Sequence, residues 1–167
     1  NMGVKTIRLS DEMFFLNKKY YIPILEEIIN RRLDLNMWAY ARVDTVREDQ
    51  LELFKKAGIN WLALGIESGS QIVRTDIEKG RFKEINIRQI VKMINDFDIN
   101  IVGNYIFGLP EDNIERMNET LDLALELNTE HANFYPAQAL PGSPLYFEAK
   151  KKNWDMPESF EEYAFFS

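Results

Sequence analysis

The stretch Trp61-Leu62-Ala63-Leu64-Gly65-Ile66-Glu67-Ser68-Gly69-Ser70 decides the fold class of this chain. Its first part is a short apolar run, which predicts a strand over Trp61–Glu67. Its last part is rich in glycine and serine, as expected of the turn that ends a strand. The stretch therefore predicts one strand that leads directly into a polar loop.

Outward from this stretch, four more apolar runs alternate with longer amphipathic segments. The predicted strands are Val4–Leu9, Asn36–Val43, Trp61–Glu67, Ile99–Leu109 and His131–Ala137. The predicted helices are Lys18–Arg32, Val46–Ala57, Glu84–Phe97 and Ile114–Leu127, with a last helix near Leu145–Lys152. Strict alternation of strands and helices predicts an α/β fold with parallel strands, either an open doubly wound sheet or a barrel.

Two of these helices carry more detailed signals. Thr45 followed by Glu48 has the form of a capping box, and Gly58 stands where a left-handed C-cap belongs. In the helix over 114–127, Leu121 and Leu125 recur at helical spacing and are expected to lie in the core with Ala124.

Composition narrows the possible functions. The 167 residues are 46% hydrophobic and 28% charged, which is typical of one globular domain. The net charge of -7 disfavours nucleic-acid binding, because a protein that neutralises phosphates is normally basic. The sequence has neither an apolar run long enough for a membrane span nor the h-region of a signal peptide, so we expect a cytoplasmic protein. With no cysteine, the chain itself cannot provide a thiolate nucleophile or a cysteine-ligated metal.

Polar side chains follow the predicted strands, where parallel α/β folds bind their ligands. Asp11 and Glu12 come after the first strand, Arg42 ends the second, Glu67 and Ser68 end the third, and Asn104 lies in the fourth. Singly, each has an ordinary structural explanation; Arg42, for example, could pair with Asp44 or with Glu67. Together they predict a polar small-molecule site.

Four motifs in this order resemble those of the radical S-adenosylmethionine (SAM) superfamily, over nearly the whole chain. They are Gly65-Ile66-Glu67-Ser68-Gly69-Ser70, Lys79-Gly80, Gly103-Asn104-Tyr105-Ile106-Phe107-Gly108-Leu109-Pro110 and Pro141-Gly142-Ser143-Pro144-Leu145-Tyr146. They look most like the branch that contains cobalamin-binding methyltransferases and the anaerobic magnesium-protoporphyrin ester cyclase. The resemblance implies an incomplete parallel (β/α) barrel of about five βα units, spanning residues 1–152. We expect residues 153–167 to be an extension that packs on the barrel or on parts of a longer protein that are missing from this chain.

The resemblance also implies cofactors and residue roles. In that family a [4Fe-4S] cluster reduces SAM to methionine and a radical that abstracts hydrogen from a small organic substrate, and cobalamin is a further cofactor in the branch named. By position, Asp11 and Glu12 match contacts to the amino group of the methionine moiety, while Glu67, with Ser68 beside it, and Asn104 match contacts to the ribose. Lys79, or Arg42 in its place, matches the partner of the methionine carboxylate. The residues that match contacts around adenine are Ile106, Phe107, Tyr135 and Pro136.

One departure from the family limits what the chain can do alone. The Cys-x3-Cys-x2-Cys loop that holds the cluster is missing, together with the first βα unit. We therefore expect a piece of a longer enzyme rather than a relative that lost its cluster, and expect this piece to be inactive and to hold no cofactor. Without a preceding strand, Val4–Leu9 is expected to be an open edge through which the chain self-associates.

Two other hypotheses remain open at this point. One is a cluster-free α/β domain that binds a nucleotide-like ligand or a protein partner. The other is an aldolase-like barrel enzyme in which Lys79 or a pair of carboxylates acts directly.

Overall fold

The computed structural model describes residues 3–12, 14–77 and 86–163. Five strands lie in this part of the chain: β1 (Thr6–Arg8), β2 (Asn36–Arg42), β3 (Ile59–Glu67), β4 (Asn100–Phe107) and β5 (His131–Pro136). Every predicted strand is confirmed, with ends that differ by up to two residues.

The described residues also include helices α1 (Lys18–Asn30), α2 (Glu48–Ala57), α3 (Gln71–Ile77), α4 (Ile87–Asp96), α5 (Ile114–Leu127) and α6 (Pro144–Lys151). Short 3₁₀ turns cover Phe14–Leu16 and Glu161–Tyr163. The sequence did not predict α3, which has only seven residues and follows the glycine- and serine-rich loop directly.

The strands form one sheet in the order β1-β2-β3-β4-β5. The pairs β1–β2, β2–β3 and β3–β4 are parallel, with Arg8 opposite Trp38, Arg42 opposite Gly65, and Gly65 opposite Asn104. A doubly wound sheet reverses its strand order at a switch point, whereas a barrel adds each strand beside the previous one. The sequential order therefore selects the incomplete barrel from the two predicted α/β folds.

The two faces of the sheet differ in how deeply their side chains are buried. The core of the protein lies on one face, where Met37, Ala39, Leu62 and Ile101 pack with the helices that connect the strands. The register places the alternate residues of β2 to β4 on the opposite face, which we call the open face because most of its side chains are partly exposed, although Ala63 and Val102 are buried. Its residues, from the amino to the carboxyl ends of the strands, are Trp38, Trp61 and Asn100, then Tyr40, Ala63 and Val102, then Arg42, Gly65 and Asn104.

Two helix predictions need correction. Helix α2 begins at Glu48 with Arg47 as N-cap, whose amide donates to the side chain of Gln50. The predicted capping box of Thr45 and Glu48 is therefore wrong, because the Thr45 hydroxyl is bonded to the backbone of Arg42 instead. Gly58 is confirmed as the left-handed C-cap, with φ of 93°.

The predicted core of α5 is also wrong in two positions. Leu121 is 42% exposed and Leu125 is 69% exposed, whereas the buried residues of this helix are Thr120, Leu123 and Ala124. The helix is rotated so that its polar Thr120 faces inward, toward the loop after β3.

Contacts divide the chain into two compact units, Asn1–Tyr135 and Pro136–Ser167. The first holds the sheet up to Tyr135 with its helices, and the second holds α6 and the segment after it. The predicted division into residues 1–152 and 153–167 stays a prediction. None of the helices in the described ranges combines the length and apolarity required to cross a membrane.

A candidate ligand site at the carboxyl ends of the strands

At the end of β3, the backbone turns the carboxylate of Glu67 toward Gly65. Gly65 pairs with Asn104 and Glu67 with Tyr105, so Ile66 is an extra residue, a bulge that bends the strand. Glu67 itself is left-handed, with φ of 67°. Its Oε1 lies so close to Gly65 that a Cβ added there would be 2.6 Å away. Glycine at 65 thus leaves the space in which the Glu67 carboxylate lies.

The loop after Glu67 is tied to α5. The hydroxyls of Ser68 and Thr120 are 3.1 Å apart, and the amide of Gly69 donates to the Thr120 hydroxyl over 2.9 Å. Both Ser68 and Thr120 are fully buried. This explains why α5 turns Thr120 inward, since its hydroxyl satisfies a loop that would otherwise bury unpaired polar groups.

A second contact holds the same loop from α3. The guanidinium of Arg74 donates to the carbonyls of Ser68 and Gly69 over 2.6 and 2.7 Å. Burial, followed by repulsion from Arg88, lowers the pKa of Arg74. Ser68 was predicted to bind the cofactor, and the structure places its side chain among these internal contacts of the loop.

Arg42, at the end of β2, forms a bidentate pair with Asp44. Its Nε and Nη2 lie 2.9 and 2.7 Å from the two carboxylate oxygens, and both side chains are partly buried. Asp44 is thus one of the two partners that the sequence offered. Arg42 also lines a narrow cleft together with Glu12 and Tyr40.

The two acidic residues after β1 lie at the same end of the sheet. Asp11 and Glu12 are both exposed, and Glu12 faces the cleft that it shares with Arg42. The structure therefore brings Glu12 and Arg42 together, from elements about thirty positions apart in the sequence. Lys79 lies outside the described residues.

The end of β4 supplies an amide and a structured loop. Asn104 is partly buried, and its side-chain oxygen accepts from the amide of Asn133 over 3.1 Å. In the loop that follows, one oxygen of Asp112 accepts from the backbone amides of Gly108 and Leu109 over 2.9 and 3.1 Å. This fixes the Gly-Leu-Pro turn beside the strand end.

The four residues predicted around adenine divide between the two faces of the sheet. Residues two apart in a strand share a face, so Ile106 lies on the open face with Asn104. Tyr135 likewise shares a face of β5 with Asn133, which contacts Asn104. Phe107 stacks on Phe134 instead, with ring centroids 5.1 Å apart. Pro136, the last residue of β5, is exposed.

Two supporting residues were missed in the sequence. Thr120 sits in a helix of ordinary amphipathic pattern, and no spacing rule connects it with Ser68, which is 52 residues earlier. Asp112 had a visible signal, because an aspartate three or four residues after a glycine turn commonly bonds its amides.

Among the described residues, this edge of the sheet offers hydrogen-bond acceptors and the guanidinium of Arg42, which is paired with Asp44. Carboxylate and amide oxygens suit sugar hydroxyls and an ammonium group, so the side chains present fit the ribose and amino group of SAM. They do not fit an iron–sulfur cluster, because the chain contains no cysteine. Nor do the described residues contain a cluster of three or more metal-ligating side chains.

Comparisons with known proteins agree on one family. Residues 1–124 match the radical SAM superfamily. An uncharacterised methyltransferase of Pyrococcus horikoshii is 31% identical over 97% of this chain and 35% of its own length. The anaerobic magnesium-protoporphyrin IX monomethyl ester cyclase of Rubrivivax gelatinosus is 31% identical over 86% of this chain and 26% of its own length. The chain thus spans about a third or less of these relatives.

A solved structure shows the same fold. The radical SAM methyltransferase TsrM from Kitasatospora setae, with cobalamin and a [4Fe-4S] cluster bound, superposes with a TM-score of 0.78. The alignment covers 90% of this chain and 31% of that one at 19% identity. At this identity the likeness concerns the fold alone.

Proposed function

The chain belongs to the radical SAM superfamily, and from that membership we propose that it forms the SAM-binding wall of a longer enzyme. The enzyme would cleave SAM reductively and abstract hydrogen from a small organic substrate. No catalytic step is assigned to residues of this chain, since it lacks the cysteines that ligate a [4Fe-4S] cluster in the family.

The observation that carries the proposal is the position of Glu67. The bulge at Ile66 and the left-handed backbone at Glu67 turn the carboxylate over Gly65, whose register partners on the two neighbouring strands are Arg42 and Asn104. Two neighbouring acceptors at a strand end suit the two vicinal hydroxyls of a ribose. A bulge at such a place is typical of a strand that aims a functional side chain.

The methionine moiety would lie toward β1 and β2. The carboxylates of Asp11 and Glu12 suit its ammonium group, which is a charge-assisted contact. Its carboxylate needs a cation, and Lys79 or Arg42 could supply one. We favour Lys79, because the Arg42 guanidinium already holds Asp44 through two hydrogen bonds.

The adenine would lie toward β4 and β5. Ile106 and Tyr135 point to the open face and suit a flat apolar ring. Phe107 and Pro136 would contribute through their backbone, because Phe107 packs on the other face of the sheet. The Ser68 side chain, held by Thr120, would support the loop rather than contact SAM.

Cobalamin and the overall reaction belong to the longer enzyme. The relatives include a methyltransferase and a ring-forming cyclase, and TsrM carries cobalamin, so methyl transfer and oxidative ring closure are the reaction classes we propose for it. No residue of this chain is assigned to cobalamin. A cytoplasmic location is likewise proposed.

SAM binding by the full-length natural protein tests the function. Isothermal titration calorimetry should show binding that weakens about tenfold in Glu67→Gln, because a carboxylate acceptor is exchanged for a weaker amide. Glu52→Gln is the matched control, since Glu52 is an exposed glutamate of α2 that pairs with Lys56. Absence of SAM binding by the natural protein would overturn the proposal, and equal affinities of the two variants would remove Glu67 from it.

A further inference from the structure

The turn at the end of β3 contains a residue in an unfavourable backbone conformation. Glu67 has a φ of 67°, in the left-handed region that a residue with a side chain seldom adopts. The amide of Ser68 donates to the carbonyl of Ile66 over 2.9 Å, which closes a three-residue turn centred on Glu67. Backbone of this kind persists only where the surrounding structure holds it. The contacts that hold Glu67 in place are therefore part of any function that Glu67 has.

The two residues that follow the turn are fixed by contacts from two helices. Arg74 of α3 donates to the carbonyls of Ser68 and Gly69, and Thr120 of α5 accepts from the Gly69 amide. The Ser68 hydroxyl oxygen accepts from the amide of Ser70 over 3.1 Å. Because the Ser68 amide is used in the turn itself, every backbone N–H and C=O group of Ser68 and Gly69 is bonded within the protein. The loop cannot rotate without breaking these bonds.

The Thr120 hydroxyl is the centre of this arrangement. Its oxygen lies 3.1 Å from the carbonyl oxygen of Arg116, 2.9 Å from the amide nitrogen of Gly69 and 3.1 Å from the hydroxyl oxygen of Ser68. A threonine hydroxyl has one proton to donate and two lone pairs with which to accept. Its proton goes to the carbonyl of Arg116, so the Gly69 amide and the Ser68 hydroxyl both donate to it. Since Thr120 is completely buried, water does not replace these contacts if the hydroxyl is removed.

These contacts act on the carboxylate of Glu67 through the backbone. While Ser68 and Gly69 are held, the turn keeps the Glu67 side chain over Gly65, where its Oε1 lies 2.6 Å from the place of an added Cβ. If the loop were released, Glu67 could return to an ordinary negative φ, and its carboxylate would leave that place. The Thr120 hydroxyl on α5 thus fixes the direction of a side chain that belongs to β3.

We propose that Thr120 is a positioning residue of the candidate site, whose hydroxyl holds the loop after β3 and thereby keeps the Glu67 carboxylate where it accepts from the ligand. This inference rests on the proposed function, because it concerns the same site and the same ligand. It assigns a functional role to α5, a helix that carries none of the residues predicted to contact SAM.

The test compares SAM binding by three variants of the full-length natural protein in calorimetry. Thr120→Val keeps the shape of the side chain and removes the hydroxyl, so it should weaken SAM binding about tenfold, as expected for Glu67→Gln. Thr120→Ser keeps the hydroxyl and should bind SAM within about twofold of the natural protein. Thr75→Val is the matched control, since the Thr75 hydroxyl donates to the carbonyl of Gln71 one helical turn earlier, as Thr120 does to Arg116. It should leave the SAM affinity unchanged.

A double variant distinguishes positioning of Glu67 from general damage to the fold. If Thr120 acts through Glu67, Thr120→Val should change the SAM affinity little once Glu67→Gln is present. The double variant should then bind SAM about tenfold more weakly than the natural protein, as each single variant does. A merely structural role of Thr120 predicts instead that the two losses multiply to about a hundredfold, because damage to the fold would weaken binding whatever residue stands at 67.

Hydrogen exchange of the loop, measured without SAM, makes the two proposals fail separately. Thr120→Val should speed the exchange of peptides that contain Gly69, because the Gly69 amide loses its acceptor, whereas Thr120→Ser and Thr75→Val should not. If Thr120→Val does not fold, Ser68→Ala takes its place in the same measurements, since it removes the hydroxyl that donates to Thr120.

The inference is supported by a loss of SAM affinity in Thr120→Val that is absent in Thr120→Ser and that Glu67→Gln masks. It is overturned if Thr120→Val binds SAM as the natural protein does, if Thr120→Ser is equally weak, if the losses multiply, or if Thr120→Val leaves the exchange of the loop unchanged. A natural protein that binds no SAM overturns the proposed function, and the exchange measurement then still decides whether Thr120 holds the loop.

Discussion

Gly65 and Gly69 are both crowded, but by different kinds of neighbour. A Cβ on Gly65 would lie 2.6 Å from the Glu67 carboxylate, the tip of a flexible side chain. A Cβ on Gly69 would lie 2.3 Å from the backbone carbonyl oxygen of Glu119 in α5. A side chain can rotate away, whereas a helix backbone cannot move alone. The first glycine therefore makes room for a proposed ligand contact, and the second allows the loop to approach the helix.

This difference gives a prediction for Gly65→Ala. The new methyl group should push the Glu67 carboxylate away from its place over residue 65 without disturbing the core. We expect the free energy of unfolding to change by less than about 0.5 kcal/mol and the SAM affinity to fall about fivefold. Urea denaturation and calorimetry on the full-length protein measure the two quantities.

Gly69→Ala is the contrasting variant. It should lose about 1–3 kcal/mol or more of stability, because the clash is with backbone. If Gly65→Ala were the more destabilising of the two, the Glu67 carboxylate would be unable to move away from residue 65.

Tyr105 gives a prediction about pH. Its hydroxyl is buried, and no hydrogen-bond partner for it lies among the described residues. Phe107 and Tyr105 both stack on Phe134, so Tyr105→Phe keeps the ring contact. Removing an unsatisfied hydroxyl should raise the free energy of unfolding at neutral pH by about 1 kcal/mol.

The advantage of Tyr105→Phe should grow in alkali. Burial raises the pKa of Tyr105 to about 12 from its ordinary 10. Between these values the unfolded chain releases this proton and the folded chain keeps it. The natural protein therefore loses stability as pH rises through that window, whereas Tyr105→Phe does not. Denaturation at pH 8 and pH 11 compares the two proteins, and an equal difference at both values would contradict the raised pKa.

At the level of single residues, the sequence identified strand ends but not the partners of each side chain. Arg42 was correctly limited to a short list of partners, because Asp44 is only two residues away. The contact between Ser68 and Thr120 could not be foreseen, since it depends on how α5 crosses the loop after β3. The role of each predicted SAM contact stays a prediction.

At the level of elements, periodicity located α5 but assigned its faces wrongly. Leucines at 121 and 125 share a helical stripe, yet Leu125 is among the most exposed large apolar residues described. The inward position is taken by Thr120, whose hydroxyl accepts from the loop amide of Gly69. The sequence pattern of one helix contains no information about hydrogen-bond partners in other elements. The prediction therefore left Thr120 out of the core, because its partner lies in the loop after β3.

The short strand β1 carries the prediction of self-association. It has three residues, pairs only with β2 among the described strands, and follows Val4, which is 57% exposed. A strand edge presents unpaired backbone N–H and C=O groups and is a template for pairing with another copy. We expect the 167-residue chain to dimerise as its concentration rises in light scattering, and Val4→Lys to dimerise less.

Leu125→Lys is the control for the added charge, because Leu125 is similarly exposed but belongs to α5. A monodisperse monomer at high concentration, or an equal effect of the two lysines, would contradict pairing through β1.

At the level of the whole molecule, alternation of strands and helices left two architectures open. Both a doubly wound sheet and a barrel produce the same pattern along the sequence. What separates them is the spatial order of strands, and here each strand lies beside its predecessor. The motifs after the strands, not the periodicity, indicated the barrel in advance, because they resembled one family in order and spacing.

The last prediction separates the binding wall from the chemistry of the family. Anaerobic reconstitution with iron and sulfide should leave the 167-residue chain colourless, because thiolates are the ligands of a [4Fe-4S] cluster and the chain has none. The full-length natural protein, if it supplies the family's cysteine loop, should become brown and bind about four irons. Incubated with SAM and a reductant, only the latter should release methionine. A brown chain with about four irons would mean that oxygen or nitrogen ligands hold the cluster. Residues of this chain would then take part directly in the chemistry of the family.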